Sequence, residues 1–306
     1  MKLKSLVMTS LVFVVPATVQ AADWGGMATL GFSQTEVSDS STDISTVTLD
    51  FNGVYDFENG FSMGFDAGLA FGDVSNGGPD VDLNYFALNG EYKLQNGVTF
   101  GGYVERGSVD DDGAIIGDVS MTSYGLTLGY ETDKLDSEVY FGESTTSPSL
   151  PSGVDVKDYG IRVGYQISPQ AFVVGALGRS EISGIGGDVE LDMVGVGGGY
   201  AFSDQWSAFG GIQRVSLDLA DADATTFGLG VAYSTSAISN LPMVFSLELA
   251  RTRLDVSGSS GDLDTIRFGV SVPLGNAGGD VPANSVVNNI AKGGHSALTS
   301  GVMGAF

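Results

Sequence analysis

The sequence predicts an all-β fold, a transmembrane antiparallel up-and-down β-barrel of fourteen strands, and three observations lead there. Apolar residues alternate with small or polar ones at a period of two over segment after segment, the spacing of a strand with two unlike faces. The segments are joined alternately by short turns and longer polar loops, as in a barrel with tight turns on one rim and loops on the other. Aromatic residues of one parity gather beside the short turns, where an interfacial girdle belongs. Composition agrees. Glycine takes 46 of 306 positions, 42% of the chain is hydrophobic, and 17 Phe and 11 Tyr set it apart from disordered sequences. A net charge of −24 leaves no basic face for nucleic acid. No cysteine and a single histidine leave no thiolate metal site, no disulfide and little acid–base chemistry, so neither cofactor, metal nor catalysis is expected.

At the N-terminus, Lys2 and Lys4 precede the apolar run Leu6 to Val15, followed by small residues up to Ala21. This is the pattern of a cleaved secretory signal over residues 1–21. The barrel is then expected over residues 22–275. In the second strand Val47, Leu49, Phe51, Gly53, Tyr55 and Phe57 share one face, with Thr46, Thr48, Asp50 and Asn52 on the other. The third repeats the pattern with Phe61, Met63, Phe65, Ala67, Leu69 and Phe71, and Asn59-Gly60 joins the two as a hairpin turn. The same unit places strands near 25–36, 44–57, 61–72, 82–94, 97–108, 119–131, 135–145, 155–167, 171–181, 189–202, 206–217, 224–235, 242–254 and 263–274. Each reaches the roughly 9–11 residues that a tilted membrane strand needs. Seven polar loops alternate with six short turns, and the last loop is read as Asp255 to Asp264.

The girdle comprises Tyr55, Phe57, Phe61, Tyr92, Phe100, Tyr130, Tyr165, Phe172, Tyr200, Phe202, Trp206, Tyr233 and Phe245. The opposite parity supplies the lumen, with Glu105, Glu131, Glu138, Arg162, Arg179, Glu248 and Arg267 among its charges. Tyr103 and Phe209 also point inward. A dry interior would not hold so many charges unpaired. Arg106, Arg214, Arg251 and Arg253 fall on the outer face near the long-loop rim, where a guanidinium matches the phosphates of lipopolysaccharide. Residues 276–306 are rich in Gly, Ala, Asn and Ser and form a tail of no readable role. If Val281–Ile290 and Ala297–Phe306 paired as strands the barrel would have sixteen; twelve is the smaller alternative. Gly60-Phe61-Ser62-Met63-Gly64 matches a nucleophile-elbow string but opens a strand after a hairpin rather than a helix. His295, in the tail, reads as an ordinary polar residue.

The signal, hairpins such as Phe57-Glu58-Asn59-Gly60-Phe61 and strands such as Tyr124-Gly125-Leu126-Thr127-Leu128-Gly129-Tyr130 together resemble Gram-negative outer-membrane porins, in particular the alphaproteobacterial type. The resemblance implies an outer-membrane channel for passive diffusion of small hydrophilic solutes and ions, a homotrimer, contact with lipid and lipopolysaccharide, and a pore loop at the third long connection. That carries Asp110, Asp111, Asp112 and Asp118 to the constriction, and Arg162, Arg179 and Arg267, which strand parity turns inward, would face them across the lumen. More than half of the 37 acids lie in the long loops, so the pore should prefer cations. The alternative from a different class is a non-conducting barrel with a structural or adhesive role at the cell surface.

Overall fold

The structure, a computed structural model, describes residues 23–305 apart from 39, 58, 79, 112–117, 185–187, 237–241 and 276–280. The proposed signal over residues 1–21 therefore lies outside the described residues. Fourteen strands follow in order: β1 (Asp23–Val37), β2 (Asp43–Asp56), β3 (Phe61–Val74), β4 (Val81–Lys93), β5 (Val98–Asp111), β6 (Val119–Glu131), β7 (Leu135–Ser147), β8 (Asp155–Ser168), β9 (Ala171–Ser183), β10 (Val189–Ala201), β11 (Trp206–Leu217), β12 (Ala222–Ser234), β13 (Val244–Val256) and β14 (Ser259–Gly275). Each pairs antiparallel with its sequence neighbours, and β1 closes on β14, so no edge is left for lipid to meet. Buried Thr29 and Ser271 hydroxyls bond across that seam at 2.8 Å, as do Thr35 and Thr265.

The outer surface is inverted relative to a water-soluble protein. Leu126 is 73% exposed, and Phe141, Leu229, Leu249 and Ile266 are also exposed on the same outward stripe. Such a belt needs a hydrocarbon solvent. Aromatic rings run along it beside the turns: Tyr55, Phe57 and Phe61 follow one another at 4.7 and 5.4 Å, and Trp206 meets Tyr233 at 4.8 Å.

Three sequence expectations change. The connection Asp255 to Asp264 is not a long loop: β13 and β14 run on and turn through Ser257 and Gly258, with φ of 49° and 88°. Strands that project beyond the membrane are wet on both faces, so a polar run there is compatible with pairing and mimics a loop. The β9 parity is also reversed. Phe172, expected on the girdle, packs inside against Phe209, and Arg179, expected in the lumen, lies on the outer face beside Asp192. Inward-facing Phe172, Val174 and Ala176 are apolar, so hydrophobicity did not mark the lipid side of this strand. Finally, the tail does not add strands. It forms two helices, α1 (Val286–Lys292) and α2 (Ala297–Ala305), inside the barrel.

Candidate functional site in the barrel lumen

The lumen wall has two chemistries. On β9 to β12 it is mainly apolar, with Ala176, Leu191, Met193 and Phe209 buried and Val174, Val215 and Leu217 beside them, interrupted by the buried polar Ser180 and Gln213. On β5 to β8 it carries Tyr103, Glu105, Glu138, Tyr140, Asp158 and Arg162. The tail matches both. Ser285 caps α1 by accepting the Asn288 N–H at 3.2 Å. Val286, Val287 and Ile290, at most 3% exposed, then face the apolar wall. Their seats are glycines. An added Cβ would stand 2.8 Å from Ile290 at Gly195, 2.9 Å from it at Gly211, 3.1 Å from Val287 at Gly197 and 2.7 Å from Val286 at Gly228. Here the missing side chains are the volume that the helix occupies.

The turn between the helices is held by charge. Glu105, 1% exposed, accepts the backbone N–H of His295 at 2.9 Å and of Ser296 at 3.1 Å. A carboxylate facing the amides that lead into α2 also favours the positive end of that helix. The His295 ring stacks on Tyr103 at 3.7 Å, meets Tyr140 edge-on at 5.0 Å, and sets Nδ1 3.2 Å from Glu105 and Nε2 3.3 Å from Glu138. Arg162 donates to the carbonyls of Gly293 and Gly294 and lies 3.7 Å from Glu138. Further along, Asp158 accepts from Ser144 and Ser180, and Ser180 Oγ in turn accepts the Ala297 N–H at 3.0 Å. On the far side Glu248 and Arg267 form a buried pair at 3.0 Å, and Glu248 accepts the Val286 N–H at 3.2 Å. Each of these buried carboxylates and guanidiniums is thus paired or hydrogen-bonded.

Beside α1 a cavity of about 90 Å³ lies between β2–β4 and the helix, lined by Thr48, Asp50, Asp66, Tyr85 and Lys292. It has room for a few waters. Buried Thr48 Oγ1 and Asp50 Oδ2 have no partner among the described residues and border that space.

The sequence-derived residues divide accordingly. Glu105, Arg162 and Arg267 come together with the tail. Glu131 is inward at the short-turn rim, paired with Lys93 at 2.9 Å. Arg179 is outside, bonded to Asp192 and Glu190. Asp110 and Asp118 are exposed at the long-loop rim, Asp111 ends β5, and Asp112 lies outside the described residues. Arg106, Arg214, Arg251 and Arg253 face outward. Arg214, Arg251 and Arg253 already hold Asp223, Asp264 and Asp255, whereas Arg106 donates to Thr122 and Ser120. His295, read as an ordinary tail residue, is the centre of the polar lock. The spacing of Val286, Val287 and Ile290 after an N-capping Ser285 was the signal for α1.

A family model described as Gram-negative porin matches residues 14–185. No curated protein sequence matches the chain. Among solved structures, an anion-selective porin from Comamonas acidovorans superposes with a TM-score of 0.52 at 11% identity, over 83% of this chain and 99% of that one. A monoaromatic hydrocarbon channel, CymD, gives 0.51 at 12% over 84% and 90%. A mutant of a second such channel, TodX, gives 0.53 at 10% over 85% and 91%. At these identities the likeness is one of fold.

Proposed function

The chain belongs to the Gram-negative porin family, and on that premise we propose an outer-membrane channel whose own C-terminal segment closes the lumen at rest. When the segment withdraws, small hydrophilic solutes and ions pass, cations ahead of anions. The observation that carries this reading is the polar lock. Glu105, Glu138, Arg162 and Ser180 grip the turn 293–297. This part of the closure consists of hydrogen bonds and ion pairs that water can replace when the tail leaves. Acids at the long-loop rim, among them Asp43, Asp82, Asp110, Asp118 and Asp188, support the cation preference, because a mouth of one sign concentrates counter-ions. Residues 1–21 serve as the cleaved export signal in this reading.

The test is a reversible staple in a background without cysteine. A Cβ at Gly228 would lie 3.1 Å from the Val286 Cβ, within a few tenths of the roughly 3.5–4.5 Å of a disulfide. Gly228→Cys with Val286→Cys should be closed in planar bilayers when oxidised and should give cation-selective steps when reduced. Silence in both states would favour the alternative, a permanently closed structural barrel. Equal conductance in both would mean that the tail is not the gate.

A further inference from the structure

We infer that the lumen is a peptide-binding site, and that the channel's ligand class is short oligopeptides carrying branched apolar side chains and an imidazole or basic group. This rests on the reading of the barrel as a channel closed by its tail. The wall grips the tail chiefly by its main chain. Arg162 donates to two consecutive carbonyls, Gly293 and Gly294. Glu105 accepts from the next two amides, His295 and Ser296, and Ser180 accepts the one after, from Ala297. Glu248 takes the Val286 N–H. Carbonyls followed by amides along five consecutive residues are features of any peptide and of no sugar, so these wall groups are arranged to read a peptide backbone.

The side-chain seats define the class further. The glycine-walled recesses at Gly195, Gly211 and Gly228 take branched apolar groups, here Ile290 and Val286. Those at Gly195 and Gly211 are apolar, and a polar or acidic side chain there would be buried without a partner, while the recess at Gly228 also borders Glu248 Oε1, which repels an acid. Glu105 and Glu138 flank one ring position within 3.3 Å on both sides, which favours a histidine or a cation and rejects an acid. The tail thus has the chemistry of the ligand, and it competes from a tether at high effective concentration.

The experiment keeps the chain whole through folding. A protease site introduced between Gly275 and Val281 is cut after the barrel has formed, converting the tail into a non-covalent peptide. A fluorescent synthetic peptide of sequence 281–301 is exchanged in, and its displacement is read by anisotropy while current is recorded in parallel. A peptide of unrelated order with branched apolar residues and one histidine should displace it. A Ser/Gly/Asp peptide of equal length and a maltodextrin should need at least tenfold higher concentration. Displacement by the tail sequence alone, or by nothing, overturns the inference. Current without such displacement leaves the channel and removes the peptide site; displacement without current leaves the peptide site and removes the channel. If the linker resists cutting, Val287→Asp with Ile290→Asp unseats the tail in the intact chain, with folding checked by circular dichroism. That variant should bind the same labelled peptide, and failure to bind it overturns the inference.

Discussion

Replacing Ile290 by alanine should unseat the tail while leaving the barrel wall intact. Ile290 is 1% exposed, and its Cγ1 and Cδ1 abut Gly195 and Gly211. Truncating a buried isoleucine costs about 2–5 kcal/mol, less where neighbours collapse into the hole and more where they do not. Two glycines in paired β-strands have no side chains with which to collapse, so the upper part of that range applies. At about 1.4 kcal/mol per tenfold, the unseated fraction should rise roughly 100-fold or more. The assay uses Ala297→Cys as the sole thiol, since Ala297 is 0% exposed and a membrane-impermeant maleimide reaches it only when the tail lifts. The modification rate should rise by that factor in the Ile290→Ala background. Gly195→Ala, whose new methyl would stand 2.8 Å from Ile290, should have the same effect, and combining the two should cost less than their sum. Rates that agree within about twofold across all backgrounds would refute the seating argument.

Leu126→Arg, at the centre of the outward face of β6, should lower stability in lipid vesicles by about 2–4 kcal/mol by urea unfolding, and Tyr130→Arg at the rim by about 0–1; equal effects would count against the lipid-facing assignment. Arg106→Ala should weaken lipopolysaccharide binding by calorimetry more than Arg251→Ala with Arg253→Ala, because the latter two guanidiniums already hold Asp264 and Asp255; the reverse order would exclude Arg106 as the phosphate contact. In a KCl gradient Gly228→Cys with Val286→Cys, kept reduced, should show a cation-selective reversal potential that Asp110→Asn with Asp118→Asn diminishes and that salt screens with a Debye length of about 10 Å at 0.1 M; an anion-selective potential would sink the charge argument.

The strand count and most strand positions were legible because a membrane strand must keep one apolar face along its whole length. Where that constraint lapses, the sequence becomes ambiguous. Beyond the membrane, Asp255 to Asp264 is wet on both faces, so its pairing left no periodic mark. On β9 both faces are apolar, because the inward side packs on the tail, and Phe172 and Arg179 exchanged faces in consequence. The lock was illegible for a different reason. Glu105 and Arg162 meet Gly293, Gly294 and His295 across more than a hundred residues of chain, and a lone histidine in a small, polar tail carries no local pattern. Only Ser285 with Val286, Val287 and Ile290 offered a helical spacing, in a stretch of seven residues.

The shortness of those helices bears on how the channel would open. Helices of seven and nine residues are too short to persist in water, where isolated helices below about 12–15 residues are marginal. Once lifted from the wall, α1 and α2 revert to coil, so seating the tail is folding coupled to binding. The ordering entropy then opposes the burial of Val286, Val287 and Ile290 and the contacts of Glu105 and Arg162. A rigid plug of equal contact area would face no such opposition and would be hard to release. Here the net preference is a difference between large terms, and a modest change in any one of them shifts the closed population. The same coupling explains why the wall spends glycines at Gly195, Gly197, Gly211 and Gly228: flexible coil can thread a lumen, but it is held only where the wall leaves room for it to become a helix.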